Sequence, residues 1–297
     1  MAFDGFLMAA LTKELSDRLT GGHLQKISQP EQDELILAVK NNRQTWRLVL
    51  SASPSLPLIY LTDKSKTAPL TAPNFCMLLR KHLSGARICR IYQHELERVI
   101  FIEFENRNEL GDLVHRNLVI EIMGKHSNII FLDEENKIVD SIRHVSALVS
   151  SVREVLPGRT YFIPNTREKH NPFELTTELW MTELTKQPVS IAKGLCNYLT
   201  GFSFSMAQEV AYRCHLDGDD PFASCNGNQL STLLSCLRAL MEHVKNGNFE
   251  PEIVFHNGEP VEFSAFEMKR YEAEGYEHRP FESVSRMIEV FYGEKEM

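Results

Sequence analysis

Apolar residues recur every three or four positions at the start of the chain, alternate with polar ones through most of the first half, and return to helical spacing in the later part. Phe6, Leu7, Ala10, Leu11, Leu15 and Leu19 predict an amphipathic helix over 5–20, with Asp4 as N-cap and Gly21-Gly22 as the stop. Three strands follow at 34–40, 46–51 and 58–62, bounded by Asn41-Asn42 and by prolines. Pro73 opens a second helix through Phe75, Met77, Leu78, Leu79 and His82 that ends at Gly85. Residues 91–133 read as strand, turn, strand, loop, strand, turn and strand, and 137–143 as a fifth strand. From Asn171-Pro172 the period becomes helical, with helices near 173–186, 189–199, 205–215 and 228–246. A hairpin over 252–255 and 262–264, turned by Asn257-Gly258, and a helix over 281–292 complete the chain.

So many short strands after one helix argue an α+β fold: a β-sandwich or open barrel with packed helices, plus a helical subdomain. The expected division is a β-rich part over 1–170, a helical part over 171–250, and a short hairpin and helix over 251–297. At 297 residues the chain can bury a substantial core, and its 43% hydrophobic content is that of a globular protein.

Charge changes this picture only locally. The net charge is −8, yet Lys and Arg number 22 against 20 Asp and Glu up to His170, and 10 against 20 beyond it. A polyanion would therefore meet the first part, through a local patch. The six cysteines, Cys76, Cys89, Cys196, Cys214, Cys225 and Cys236, show no C-x-x-C spacing and no paired histidine, so reduced, mostly buried thiols are expected rather than disulfides or a metal site. The amino terminus lacks a basic n-region and is interrupted by Lys13, and no segment reaches spanning length, so a cytoplasmic protein with no membrane span is expected. Phosphate-loop, dinucleotide, zinc-protease and nucleophile-elbow motifs are all missing, which leaves an enzyme reading little support; no catalytic residue, cofactor or metal is expected.

Two stretches carry candidate chemistry. Glu97-Arg98 opens the apolar run Val99-Ile100-Phe101-Ile102 after the turn-like His94-Glu95-Leu96, where a charge pair would project from a sheet rim. Arg offers a flat fork that can bond phosphate or base edges, and a neighbouring carboxylate can orient it or accept from a base. The plain alternative is a surface salt bridge. Glu121-Ile122-Met123-Gly124-Lys125-His126-Ser127-Asn128-Ile129-Ile130 places a cation, an imidazole, a hydroxyl and an amide side by side on a Gly-centred turn. Lys125-His126 as an acid/base pair is the lesser reading, and Asn128 could simply bond the turn backbone. Arg80-Lys81, with Arg87 beyond, adds a basic patch.

These motifs, with Phe3-Asp4-Gly5, the run from Phe75 to His82, and Val155-Leu156-Pro157-Gly158 before Tyr161, resemble the NFACT-N domain of the RqcH and NEMF proteins, also known as fibronectin-binding protein A. The resemblance covers essentially the whole chain. The family's usual acidic-Arg pair is Asp-Arg, where this chain has Glu97-Arg98. It implies a fold resembling the formamidopyrimidine-type DNA glycosylases, a helix-two-turn-helix or helix-hairpin-helix region around Thr200-Gly201, and an N-terminal fragment followed by a coiled coil. The glycosylase nucleophile is a processed amino-terminal proline, and Ala2-Phe3 offers none. The resemblance further implies an RNA-binding module of ribosome-associated quality control, which binds the large (50S) ribosomal subunit carrying peptidyl-tRNA and recruits tRNA(Ala) for template-free alanine tailing. Glu97, Arg98 and Asp4 would be the tRNA-binding residues; Arg80, Lys81, Arg87, Lys125, His126 and Asn128 would be further RNA contacts. The rival reading, from the same family, is a fibronectin- or fibrinogen-binding adhesin reaching the cell surface by non-classical export.

Overall fold

The computed structural model describes residues 3–164 and 168–295. The architecture is mixed α+β, with a large antiparallel sheet and packed helices, as the alternation of periods predicts. The chain forms two compact units: 11–94 with 99–164, and 1–10 with 95–98 and 165–297. The change of unit at Asn165 lies near the change of period at Asn171-Pro172.

The strand-rich unit is organised by a nine-stranded sheet. After α1 (Gly5–Leu19) come β1 (His23–Glu31), β2 (Glu34–Asn41), β3 (Gln44–Ser51) and β4 (Leu58–Thr62); α2 (Asn74–Leu83) then leads into β5 (Arg87–Gln93), β6 (Val99–Arg107), β7 (Leu113–Glu121), β8 (Asn128–Leu132) and β9 (Ile138–Ser141). The order is β4-β3-β2-β1-β5-β6-β7-β8-β9. Two meanders thus meet at β1 and β5, whose ladder is the single pair His23 and Arg87. Arg143 ties them again: it donates to Ala52 O at 3.0 Å, just after β3, and approaches Asp33 of the β1–β2 turn at 3.4 Å. Helix α2 lies on β1, with Cys76 Sγ and Arg80 Nε donating to Ile27 O at 3.6 and 2.9 Å.

Strand β1 is an element that the hydrophobic pattern does not announce. It is polar and contains Pro30, which removes a ladder donor; a register shift between Ser28 and Glu31 accommodates it.

Beside Ile100, Ile102 and Phe104, which are fully buried, the opposite face of the second meander has its own cover. Val99, Val119, Ile130, Leu132, Ile138 and Val155 form a cluster against which Phe101, Val145, Tyr161 and Ile163 pack. Glu121, opposite Val99 in the β6–β7 ladder, is fully buried. Tyr161 donates its hydroxyl to Glu121 Oε2 at 2.7 Å, and Arg153 Nη2 donates to Oε1. Burial, then the adjacent carboxylate, hold the Tyr161 hydroxyl protonated far above the usual tyrosine range.

The second unit begins with the amino terminus. Phe3 and Phe6 are buried against aromatic rings from the far end of the chain: Phe3 meets Phe263 edge-on at 5.8 Å, and Phe6 meets Phe202 at 4.8 Å and Phe266 at 6.1 Å. Four helices follow one capping rule. Thr176, Ser190, Ser203 and Asn226 each accept from a backbone N–H in the first turn of α3 (Thr177–Thr182), α4 (Ile191–Tyr198), α5 (Phe204–Arg213) and α6 (Gly227–Lys245). The helix expected over 173–186 is instead a short 3-10 turn, α3 and a second 3-10 turn. Trp180 anchors the bundle through Nε1–H to Leu230 O at 2.8 Å. A three-stranded sheet, ordered β11-β10-β12, combines the expected hairpin β10 (Glu252–His256) and β11 (Glu259–Ser264) with an unexpected β12 (Tyr276–Pro280); α7 (Val284–Lys295) packs on it through Phe291 and Phe263. Among the described residues, no helix is long and apolar enough to cross a membrane.

Candidate nucleic-acid interface

Asp4 caps α1, accepting from Leu7 N–H through Oδ1 at 2.9 Å. Its other oxygen accepts from the Ser203 hydroxyl at 2.8 Å, and Ser203 in turn accepts from Met206 N–H at 3.1 Å as the cap of α5. One carboxylate therefore links the amino ends of two helices. Both are positive ends of helix dipoles, the kind of place where anions bind. Cap and functional candidate are compatible roles, since the second oxygen does work that a cap alone does not require.

The backbone between these helix ends is unusually close. Gly5 N–H donates to Gly201 O at 2.9 Å. A Cβ on Gly5 would stand 2.2 Å from Leu96 O, and one on Gly201 would stand 2.3 Å from the same oxygen. Gly201 also has a φ of +86°, which glycine adopts without strain. Leu96 is fully buried, so the short segment 95–98 is pinned at its apolar residue between two glycines. Glu97 and Arg98 follow directly and belong to the same unit as Asp4. Both are partly buried. The Arg98 guanidinium makes no hydrogen bond or ion pair with any described residue. Leu96 and Ser203 were not among the site residues expected from the sequence, and Gly201 was legible only as part of the Thr200-Gly201 break between two helical patterns.

The Asp4 carboxyl is pushed up to about 6. Burial is the main cause, with a small addition from the Glu262 carboxylate; the bonds from Leu7 and Ser203 oppose it. The folded chain therefore holds this proton more tightly than the unfolded one. Its contribution is greatest below about pH 4 and is lost as pH rises to about 6. Asp4→Asn keeps the cap and removes the titration. Its stability relative to wild type should improve by up to roughly 2–3 kcal/mol between those limits, read from urea melts at the two ends. A pH-independent difference would refute the buried-carboxyl assignment.

The other candidates lie in the strand-rich unit. Lys125 and His126 are exposed on a 3-10 turn over Gly124–His126, braced by Arg143 Nη1 donating to Lys125 O and Ser127 O, each at 3.0 Å. Lys81 and Arg87 are exposed. Arg80 spends its Nε–H on Ile27 O but keeps an exposed head. Asn128 stands apart from these: it is buried, its Oδ1 accepts from Ile129 and Arg143 N–H, and its Nδ2 donates to Arg143 O. Those bonds give it a structural task between β8 and the segment after β9.

Residues 4–297 match the family described as the NFACT N-terminal and middle domains. The chain belongs to the NFACT family. Among NFACT relatives, RqcH of Bacillus subtilis, an Rqc2 homolog, is 35% identical over 293 residues, covering 98% of this chain and 49% of its own. RqcH of Streptococcus pneumoniae is 41% identical over 211 residues, 71% of this chain and 38% of its own. This chain thus spans about half the length, or less, of these relatives. Among solved structures, the N-terminal part of the fibronectin/fibrinogen-binding protein of Streptococcus suis is 31% identical with a TM-score of 0.78, covering 98% of this chain and 99% of that one. The NFACT resemblance rests in part on Phe3-Asp4-Gly5, and each of those residues has a distinct task here: an aromatic anchor, a double acceptor, and a site of backbone contact.

Proposed function

We propose that this chain is the RNA-positioning part of a ribosome-associated quality-control factor, with Arg98 as its tRNA contact. In this reading the complete protein binds a large ribosomal subunit carrying peptidyl-tRNA and recruits tRNA(Ala) for template-free alanine tailing. Peptide-bond chemistry belongs to the ribosome, and the chain has no catalytic residue of its own. The likeness to RqcH proteins supports the setting.

The observation that carries the site assignment is the clamp on Leu96. It packs the segment that carries Arg98, a partly exposed guanidinium with no described partner, against Gly5 at the start of α1 and Gly201 just before the cap of α5. A fork so placed can bond a phosphate or stack on an exposed base, as RNA recognition requires. Glu97 either orients Arg98 or accepts from a base. Exposed Lys81, Arg87, Lys125 and His126 supply backbone contacts of the sequence-independent kind.

Arg98→Ala, introduced into the complete protein in cells lacking the native gene, should reduce alanine-tail formation and tRNA co-purification by at least about tenfold, the loss expected of one good guanidinium contact. Its thermal melt should stay near that of wild type, because a partly exposed side chain without internal bonds contributes little to the core. Glu97→Asp should be tolerated. Full-length tails from a normally melting Arg98→Ala protein would overturn the assignment. Binding to immobilised fibronectin, without 50S association, would favour the adhesin instead.

A further inference from the structure

Side chains far apart in sequence meet on one face of β5, β6 and β7. In the β5–β6 ladder Arg87 faces Glu105 and Arg90 faces Glu103, with a bulge between Ile88 and Arg90. Cys89 is the extra residue of that bulge, so it lies between the two glutamates. In the β6–β7 ladder Glu105 faces His115 and Glu103 faces Asn117. One ligand atom from each of Cys89, Glu103 and His115 lies within 4.8 Å of the others, the one such group among the described residues. The Cys89 thiol donates to Glu105 Oε2 at 3.5 Å, and His115 Nε2 lies 3.1 Å from the same oxygen. Beside them Asn117 holds its Oδ1 buried without a partner.

We infer that Cys89, Glu103 and His115, with Glu105 as fourth ligand, form a binding site for a zinc ion. Sequence spacing alone argues against a metal at any cysteine, because the chain has no C-x-x-C spacing and no paired histidine motif. Strand register brings His115 to Cys89. Thiolate, imidazole and carboxylate are the donors zinc takes, in a tetrahedron with bonds of about 2.0–2.3 Å. Ligand atoms in such a tetrahedron are about 3.4 Å apart, so rotation of the two glutamate side chains closes the site while the ladders stay in place. Magnesium and calcium prefer shells built from oxygen, and a thiol with an imidazole is a poor match for either. The groups that oppose a cation are Arg87, whose Nη1 lies 3.6 Å from Cys89 Sγ, and Arg90, opposite Glu103 in the ladder; both are exposed and can turn to solvent. The orphaned Asn117 oxygen offers an acceptor for a water beside the ion.

The test is a titration of the reduced, chelator-treated chain with Co2+, followed by Zn2+. A single equivalent of cobalt should bind with thiolate-to-metal charge-transfer absorption and the intense visible bands of a tetrahedral site, and zinc should displace it. Cys89→Ser should abolish the charge-transfer band. His115→Gln and Glu103→Gln should each weaken binding by at least about tenfold, while Cys225→Ser should leave it unchanged. All the substituted side chains are at least partly exposed, and the metal-free variants should keep the wild-type circular dichroism. A stoichiometric cobalt complex without a thiolate band, or a Cys89→Ser chain that binds like wild type, would overturn the site.

Discussion

Arg153→Met is expected to lower the free energy of unfolding by about 3–5 kcal/mol, the cost of leaving a buried charge without its partner. Glu121 is fully buried, and its two oxygens are taken by Arg153 and by the Tyr161 hydroxyl. Methionine fills most of the space of the arginine stem but supplies no donor. The carboxylate would then keep one bond and lose its counter-charge. Tyr161→Phe should cost less, about 1–3 kcal/mol, because the ion pair survives and only a hydroxyl bond is lost. Glu121→Met combined with Arg153→Met should recover much of the loss, since a well-packed apolar pair can replace a buried ion pair at little cost. Urea unfolding of the three variants measures all of this. A single Arg153→Met change costing under about 1 kcal/mol would mean that Glu121 is reached by water.

Gly201→Ala should cost roughly 2–4 kcal/mol, from a left-handed φ and from crowding that the neighbouring backbone cannot relieve. The new methyl would sit 2.3 Å from Leu96 O, an atom that moves only if segment 95–98 moves with it. The matched control is Gly258→Ala. Gly258 has a φ of +84° but nothing within 4 Å of its would-be Cβ. That variant should therefore show the conformational cost alone, about 1–2 kcal/mol. The difference between the two isolates the close approach. Equal losses would mean that Leu96 is not clamped, which would remove the positional argument for Arg98.

Local pattern was enough for α1, α2, α4 to α6, β2 to β4 and β6 to β8, because each repeats its apolar residues with a regular period between recognisable stops. Asp4 as a cap and the turn at Gly124 were legible for the same reason: their partners lie within four residues. Strands β1 and β12 were not legible. His23–Glu31 contains a proline, and Tyr276–Pro280 is mostly polar; each is a strand because of what it pairs with. The packing of Leu96, just before Glu97-Arg98, against the start of α1 was hidden too, since it depends on Gly5 and Gly201 meeting Leu96 across wide separations in sequence.

Sequence by itself thus determined most of the secondary elements, the mixed α+β class and the residue types on offer at each turn, because these follow from interactions a few positions long. Only the tertiary structure decided which of those residues share a site. Asn128 was turned inward to the bonds around Arg143, Arg153 was set against a buried Glu121, and a one-residue bulge placed Cys89 between Glu103 and Glu105. Strand register and close packing of glycine backbones join positions that no local period connects, and a shift of one residue would send each side chain to the opposite face.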